Sequence, residues 1–278
     1  TKFSKFGARV KIVEALDRVL SEFEPEIVDS IQETSEMYSD DIYTSTLAQG
    51  VEYAEDGTPE LLAEKDGDEL RLSGDYIVVA AGREPNSAYD DLELDNTGVD
   101  LTDNGFIAVD DQCRTTDDTI LAVGDAAGPP YLAHVAYHEG KVAAAVAAGE
   151  DQAVDTEYMP TVMYTDPEVA TVGLSEAEAT EQYDDVLVGR VPMTASGRAL
   201  TMDKTEGYLK VIADADEQLL GVRIVGPRAS DTIAEATLAL EMDASLDDIA
   251  TTLHAHPTFP ENLVEAAEAA KNEAIHTH

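Results

Sequence analysis

Residues 75–83, Asp-Tyr-Ile-Val-Val-Ala-Ala-Gly-Arg, hold six consecutive apolar side chains before Gly82. A strand with one face in water alternates apolar and polar residues, so an uninterrupted run predicts a parallel strand buried on both faces. A second run, Thr119-Ile-Leu-Ala-Val-Gly124, ends the same way, on a glycine followed by Asp125. Such strands need helices above and below them, and open sheets of this kind place ligands beyond the C-terminal strand ends. The first half of the chain is therefore expected to be α/β, with Gly82 and Asp125 facing a ligand. Gly82 lets backbone approach closely; the alternative is a plain turn before Pro85-Asn86. After Asp125 come Ala126-Ala-Gly-Pro-Pro130 and a predicted alanine-rich helix over 131–149, closed by Gly149. A carboxylate at that junction can bind a polyol hydroxyl while the helix amides favour an electronegative ligand edge. A turn or capping role for Asp125 is the alternative.

The beginning of the chain fits the same architecture. Residues 2–9 resemble the tail of a helix closed by Gly7, and Val10-Lys-Ile-Val13 is a short strand ending at Glu14. Helix, glycine, strand and acid, in that order, end the first half of a dinucleotide-binding βαβ unit. An acid at that point accepts hydrogen bonds from the adenosine ribose and favours NAD over NADP. The glycine fingerprint should precede it by about 20 residues, more than the 13 that stand before Glu14. A solvated surface acid is the alternative. Pro25 starts a predicted acidic amphipathic helix over 25–38. Residues 42–55 and 60–72, with turn signals at Asp56-Gly57 and Asp66-Gly67, suit a β-meander. Residues 86–118 read as short polar strands and turns.

From about residue 152 the texture changes. Residues 159–174 are strand-like but carry two prolines, which predicts edge or broken strands. Ser175-Glu-Ala-Glu178 starts a helix with a capping box. Strands follow over 186–193 and 207–226, with a hairpin near Asp214–Glu217, then helices over about 230–242, 245–252 and 259–274. Strands first and helices after predict an α+β domain. Its last loop, His254-Ala-His-Pro-Thr-Phe-Pro-Glu261, places an imidazole five residues before a carboxylate. Pro257 biases His256 away from the α region, and Thr258 and Glu261 have capping-box spacing. A carboxylate on Nδ1 would leave Nε2 of His256 free as a base near neutral pH; capping alone is the plainer reading. The pairs His254/His256 and His276/His278 fall short of the three or four ligands zinc requires, the second pair lying on an end expected to fray. No metal is expected.

The sequence has 58 acidic and 17 basic residues, a formal net charge of −41, yet 44% of it is hydrophobic. Such a charge repels nucleic acid and anionic membranes. The hydrophobic content is too high for a disordered acidic tail. A folded, Lys-poor acidic surface suits concentrated salt, which screens self-repulsion, and poor stability at low salt is expected. Cys113 is the sole cysteine. It lacks a neighbouring base and is expected to be incidental. No apolar run reaches the roughly 18 residues of a membrane span, so a cytoplasmic protein is expected.

Six stretches, in chain order, resemble the flavin-dependent pyridine nucleotide–disulfide oxidoreductases. They are Val13-Glu-Ala-Leu-Asp-Arg18, Val79-Ala-Ala-Gly-Arg-Glu-Pro-Asn86, Ile120-Leu-Ala-Val-Gly-Asp125, Leu132-Ala-His134, Tyr164-Thr-Asp-Pro-Glu-Val-Ala-Thr-Val-Gly-Leu174 and His254–Glu261. Leu132-Ala-His134 with His138-Glu-Gly140 is closer to the branch acting on dihydrolipoamide than to glutathione reductases. The resemblance implies the C-terminal part of a flavoprotein with two dinucleotide-binding domains, α/β followed by an α+β dimerisation domain. It implies a partial NAD-binding domain over 1–86, a central FAD-contacting segment over 87–152 and a dimer-interface domain over 153–278. Asp125 would hold the FAD ribityl chain, and Tyr131, Leu132, Ala133 and His134 would face the flavin pyrimidine edge. Glu14, Ala48 and Gly82 would line the NAD site. His256 would be the acid–base and Glu261 its orienting carboxylate, both serving the partner subunit's flavin. The implied reaction is NAD-dependent reoxidation of dihydrolipoamide on a lipoyl-bearing protein of a 2-oxoacid dehydrogenase complex or a glycine cleavage system. Another thiol–disulfide reductase, or a non-catalytic dimerisation module, is the alternative. The family's N-terminal FAD domain, its redox cysteine pair and the first glycine fingerprint of the NAD domain have no counterpart in the sequence. As it stands, the chain is expected to bind both cofactors poorly and turn nothing over.

Overall fold

Gly7 ends the first helix, α1 (Lys2–Lys5). Its φ is +88°, and the N–H groups of Gly7 and Ala8 donate to the Ser4 and Phe3 carbonyls at 2.8 and 3.1 Å. That is a Schellman ending, which needs a left-handed residue and so favours glycine. β1 (Lys11–Val13) follows, then α2 (Pro25–Glu36), then β2 (Asp41–Tyr43), which pairs with β1 in parallel. β3 (Thr46–Tyr53), β4 (Pro59–Lys65) and β5 (Asp68–Ser73) form the predicted antiparallel meander. Asp66 and Gly67 both have positive φ, +54° and +87°, as a two-residue primed hairpin turn demands. The computed structural model describes residues 1–36, 41–86 and 92–277. The end of the helix expected over 25–38 and part of the segment over 86–118 lie outside those residues. Two units result: Thr1–Val78 with the chain from Tyr158 onward, and Val79–Glu157.

The two apolar runs are not parallel strands. Residues 76–80 have no ladder partner, and Tyr76, Val78 and Val79 are 90%, 68% and 82% exposed. Residues 119–124 make one isolated antiparallel bridge, Leu121 with Arg114, before a 3-10 turn over Gly124–Ala126. An apolar segment becomes a strand only where neighbours take up its N–H and C=O groups. Among the described residues, parallel pairing is confined to β1 and β2, so neither run has an edge to join.

In the unit Val79–Glu157, α3 (Ala133–Ala147) is the main element. Gly149, at φ +90°, closes it: the N–H groups of Gly149 and Glu150 donate to the Val146 and Ala145 carbonyls at 3.0 Å each. Val142 and Val146 pack with Cys113 in a small core.

The chain from Tyr158 onward builds an antiparallel sheet of order β6-β7-β10-β9-β8. In chain order its elements are β6 (Thr161–Met163), β7 (Glu168–Gly173), α4 (Glu176–Gln182), β8 (Val186–Pro192), α5 (Gly197–Met202), β9 (Tyr208–Asp214), β10 (Leu219–Gly226), α6 (Ala229–Glu241), α7 (Leu246–Thr251) and α8 (Glu261–Ala270). β6 is an edge strand and β7 an interior one. The Ser175 capping box forms as expected; α5 was not predicted, and the third late helix is shorter than expected. Leu209, Val211 and Ala213 of β9 and Val222 and Ile224 of β10 meet α6, α7 and α8 in the main core. The alternate residues face the other way: Tyr208 and Val225 pack on Ile27 and Ile31 of α2, and Ile212 packs on Ala179 of α4. Period-2 alternation thus loads both faces of these two strands, and α8 seated on β8 and β9 fixes where the last loop begins its helix.

Candidate acid–base and nucleotide-binding sites

His256 and Glu261 meet. Nδ1 of His256 lies 2.7 Å from Oε1 of Glu261, and the ring is exposed, 78% of its side chain facing solvent. Oε2 of Glu261 accepts the Thr258 N–H at 2.5 Å. Burial pushes the Glu261 carboxyl up, but the Thr258 N–H and the His256 imidazole outweigh it and hold it below its ordinary range. An ionised carboxylate on Nδ1 favours the tautomer with Nδ1–H and leaves Nε2 as the acceptor of the exposed ring. The capping box is only half made, which corrects the expectation. Thr258 Oγ1 donates to the Ala255 carbonyl at 2.7 Å rather than serving the helix, and no side chain caps α8. The reason is that α8 starts at Glu261 itself with Pro260 as its N-cap, so Thr258 stands two residues too early to cap it.

Asp125, Tyr131, Leu132, Ala133 and His134 come together in the unit Val79–Glu157. Gly124 is left-handed at φ +69°, and a Cβ on it would stand 3.0 Å from Cβ of Ala136. Its N–H donates to Glu139 Oε2 at 2.5 Å, which ties the turn to α3. Asp125 is exposed and accepts from Arg83 at 2.9 Å through Oδ2. The Arg83 guanidinium also lies 5.8 Å from the centre of the Tyr131 ring, whose other neighbour is Phe106 at 5.9 Å. Leu132 is the N-cap of α3 and offers no side-chain cap, while Ala133 and His134 are exposed on its first turn. A helix N-terminus whose N-cap residue supplies no side-chain cap suits an electronegative ligand edge, and a carboxylate beside it suits polyol hydroxyls. These residues fit the flavin that the resemblance implies. Arg83 and Glu139 were missed as members of this turn: their partners lie 42 and 15 residues away, and no local spacing signals either contact.

Glu14 closes β1. Its Oε1 accepts the Leu16 N–H at 2.9 Å, and its carbonyl accepts the Thr46 N–H at 2.9 Å, so the start of β3 is tied to it. Ala48 lies exposed two residues along β3, just before a bulge. A half-exposed acid at the end of a parallel strand fits a ribose diol. Gly82 is left-handed at φ +98°, with open space where a Cβ would stand, and it belongs to the other unit.

Cys113 is buried, and burial, with Glu139 and Asp110, pushes its thiol up, the reverse of a reactive cysteine. His276 does not fray: its N–H donates to Glu265 and its Nδ1 lies 3.1 Å from the same carboxylate. His278 lies outside the described residues. Among the described residues no three His, Cys, Asp or Glu converge as a metal site, and no helix is long and apolar enough to cross a membrane.

The histidine–carboxylate pair lies on the α+β part, and the glycine–aspartate turn lies ahead of a helix without a side-chain cap. The chain belongs to the pyridine nucleotide–disulphide oxidoreductases: the family model matches residues 1–140, and the model of the family's dimerisation domain matches residues 159–267. It is 45% identical over 278 residues to dihydrolipoyl dehydrogenase 2 of Haloarcula marismortui. It is 42% identical over 279 residues to the dihydrolipoyl dehydrogenase of Haloferax volcanii and 42% over 277 to that of Geobacillus stearothermophilus. These alignments take in 99–100% of this chain and 58% of each relative, so the chain spans little more than half their length. Among solved structures it superposes on the HOCl-induced flavoprotein disulfide reductase RclA of Escherichia coli with a TM-score of 0.87. That match has 24% identity and covers 96% of this chain and 60% of that one. LpdA of Mycobacterium tuberculosis gives 0.86 at 23%, covering 96% and 57%. At such identities these likenesses show the fold.

Proposed function

We propose that this chain is the interface-bearing part of an NAD-dependent dihydrolipoyl dehydrogenase. The observation that carries the reading is the 2.7 Å contact of His256 Nδ1 with Glu261, on a chain 45% identical to a relative of that name. Asp125 and the residues from Tyr131 to His134, Ala133 above all, hold FAD, and Glu14, Ala48 and Gly82 hold NAD. Bound FAD carries electrons between a redox disulfide and NAD. The chain's own contribution is proton management. Nε2 of His256 takes the proton of a dihydrolipoyl thiol, and the resulting thiolate attacks the disulfide. Glu261 keeps the ring in the tautomer that leaves Nε2 open and stabilises the imidazolium once the proton arrives. Residues from 153 onward form the interface of a homodimer, in which His256 and Glu261 face the partner subunit's flavin. The thiol belongs to a lipoyl-bearing protein of a 2-oxoacid dehydrogenase complex or a glycine cleavage system, and the enzyme works in the cytoplasm.

In the flavin-loaded holoenzyme, His256→Ala is expected to slow reduction by dihydrolipoamide by about 10²–10⁴-fold, the usual worth of a general base. NADH-to-dye transfer should stay near wild type. Stopped-flow flavin absorbance separates the two half-reactions. Equal losses in both would make His256 a structural residue and sink the proposal.

A further inference from the structure

The loop that carries His256 is almost without support. Among the described residues no backbone–backbone hydrogen bond involves 253–258. Leu253 is 99% exposed, and Ala255, His256 and Pro257 face solvent as well. Thr258 bonds only within the loop and to Glu261. Phe259, buried in the main core, anchors the far end. Between Thr252 and Thr258 two side chains reach the helices: His256, whose Nδ1 meets Glu261 at the start of α8, and His254, which reaches α6. The His254 ring is 9% exposed, with Nδ1 2.8 Å from the Thr252 carbonyl and Nε2 2.6 Å from Glu235 Oε1 on α6.

Both partners are acceptors, and this sets the proton count. The carbonyl can only accept, so Nδ1 carries hydrogen. Nε2 then faces a carboxyl oxygen at 2.6 Å, and a bond forms only if one proton sits between them, on the ring or on the carboxyl. A bond of that length with a charged or proton-sharing partner is among the stronger ones available to a side chain. We infer that His254 is a positioning residue: held between the Thr252 carbonyl and the Glu235 carboxyl, it fixes the exposed loop and thereby the place of His256. This rests on the reading of His256 as the acid–base. A general base must stand within hydrogen-bond reach of its proton, and a displacement of about 1 Å can cost about 10²-fold in rate. Glu261 orients the ring from α8, and the His254 pin on α6, two residues from His256, holds the backbone that carries it.

Holoenzymes carrying Glu235→Ala, Glu235→Gln, His254→Ala and His256→Ala test it. Glu235 is 38% exposed, so its substitution spares the core. Reduction by dihydrolipoamide should fall about 10–100-fold in Glu235→Ala and His254→Ala, with NADH-to-dye transfer unchanged. Glu235→Gln should stay near wild type, because an amide can either accept from Nε2–H or donate to Nε2. Amide hydrogen exchange at Thr258, whose N–H is held by Glu261, should quicken in Glu235→Ala but not in Glu235→Gln, with β9 unaffected. If Glu235→Ala matches wild type in rate and exchange while His256→Ala slows the thiol step, the positioning role is overturned and the acid–base reading stands. If Glu235→Gln fails as badly as Glu235→Ala, the hydrogen-bond clamp is overturned. If His256→Ala has no effect, the reading beneath it fails instead.

Discussion

At the residue scale, Glu261 shows how much one carboxylate can hold. Its two oxygens take the Thr258 N–H and the His256 ring, and these contacts hold its carboxyl below the ordinary range despite burial. A depressed carboxylate stabilises the fold above its unfolded pKa, and that stability is lost as pH falls through the folded one. Glu261→Ala should therefore cost about 0.5–1.5 kcal/mol at neutral pH, the net worth of a typical side-chain hydrogen bond. The difference from wild type should close in acid, below the carboxylate range. Urea melts at a series of pH values measure it; a gap that persists in acid would assign the loss to packing. The pair itself was legible in the sequence, because His256 and Glu261 are five residues apart where the last loop enters α8. The His254–Glu235 and Arg83–Asp125 contacts were not, since they join residues 19 and 42 positions apart. Such contacts exist only once the elements have packed.

At the scale of elements, the site depends on how α8 is seated. Gly189 of β8 faces this helix so closely that a Cβ would overlap the backbone of Ala266 and Ala270. Backbone cannot retreat as a flexible side chain can, so Gly189→Ala must push α8 outward, and with it Glu261. Overpacking of this kind costs about 1–3 kcal/mol. The melting temperature should fall, and, on the proposed reading of His256 and Glu261, the thiol step should weaken along with it. A variant that melts lower with an unchanged thiol step would uncouple helix seating from the site. The alternating residues of β9 and β10 made those strands readable, because period 2 is a local property. The run over 76–81 misled because burial is not local: the same six apolar residues are a strand only beside partner strands. Sequence periodicity also hid the function of Gly189, whose importance lies in what it lacks.

For the molecule as a whole, the decisive quantity is charge. With 17 cations against 58 acids, the placement of each cation matters, and three of them meet α2 on one face of the sheet. Lys210, 5% exposed, lies 2.7 Å from Glu26, 3.2 Å from Glu176 and 3.8 Å from Glu24. Arg223 pairs with Glu24 and donates to the Val172, Val222 and Gly173 carbonyls. Arg190 pairs with Glu26 at 2.9 Å and stacks 4.1 Å from the centre of the Tyr208 ring. Burial pushes the Lys210 amine down, but the three glutamates outweigh it and raise its pKa, so its contribution is full below the unfolded lysine value and is lost as pH rises through the folded one. Lys210→Met would leave Glu24, Glu26 and Glu176 facing one another without their shared cation. Removing one partner of a buried pair costs about 3–5 kcal/mol, and the partial exposure of these carboxylates places the loss at the lower end. Salt acts on the same repulsion: the Debye length shrinks from about 30 Å at 0.01 M to about 3 Å at 1 M. The wild-type melting temperature should therefore climb between low and molar KCl, as the acidic composition implies. The gap between wild type and Lys210→Met should narrow over the same range, because added ions screen the exposed carboxylates and leave the buried desolvation cost untouched. Calorimetry of both proteins across the series distinguishes the two effects: a wild-type melting temperature indifferent to KCl would refute the screening account, and a constant gap would place the whole cost of Lys210→Met in burial.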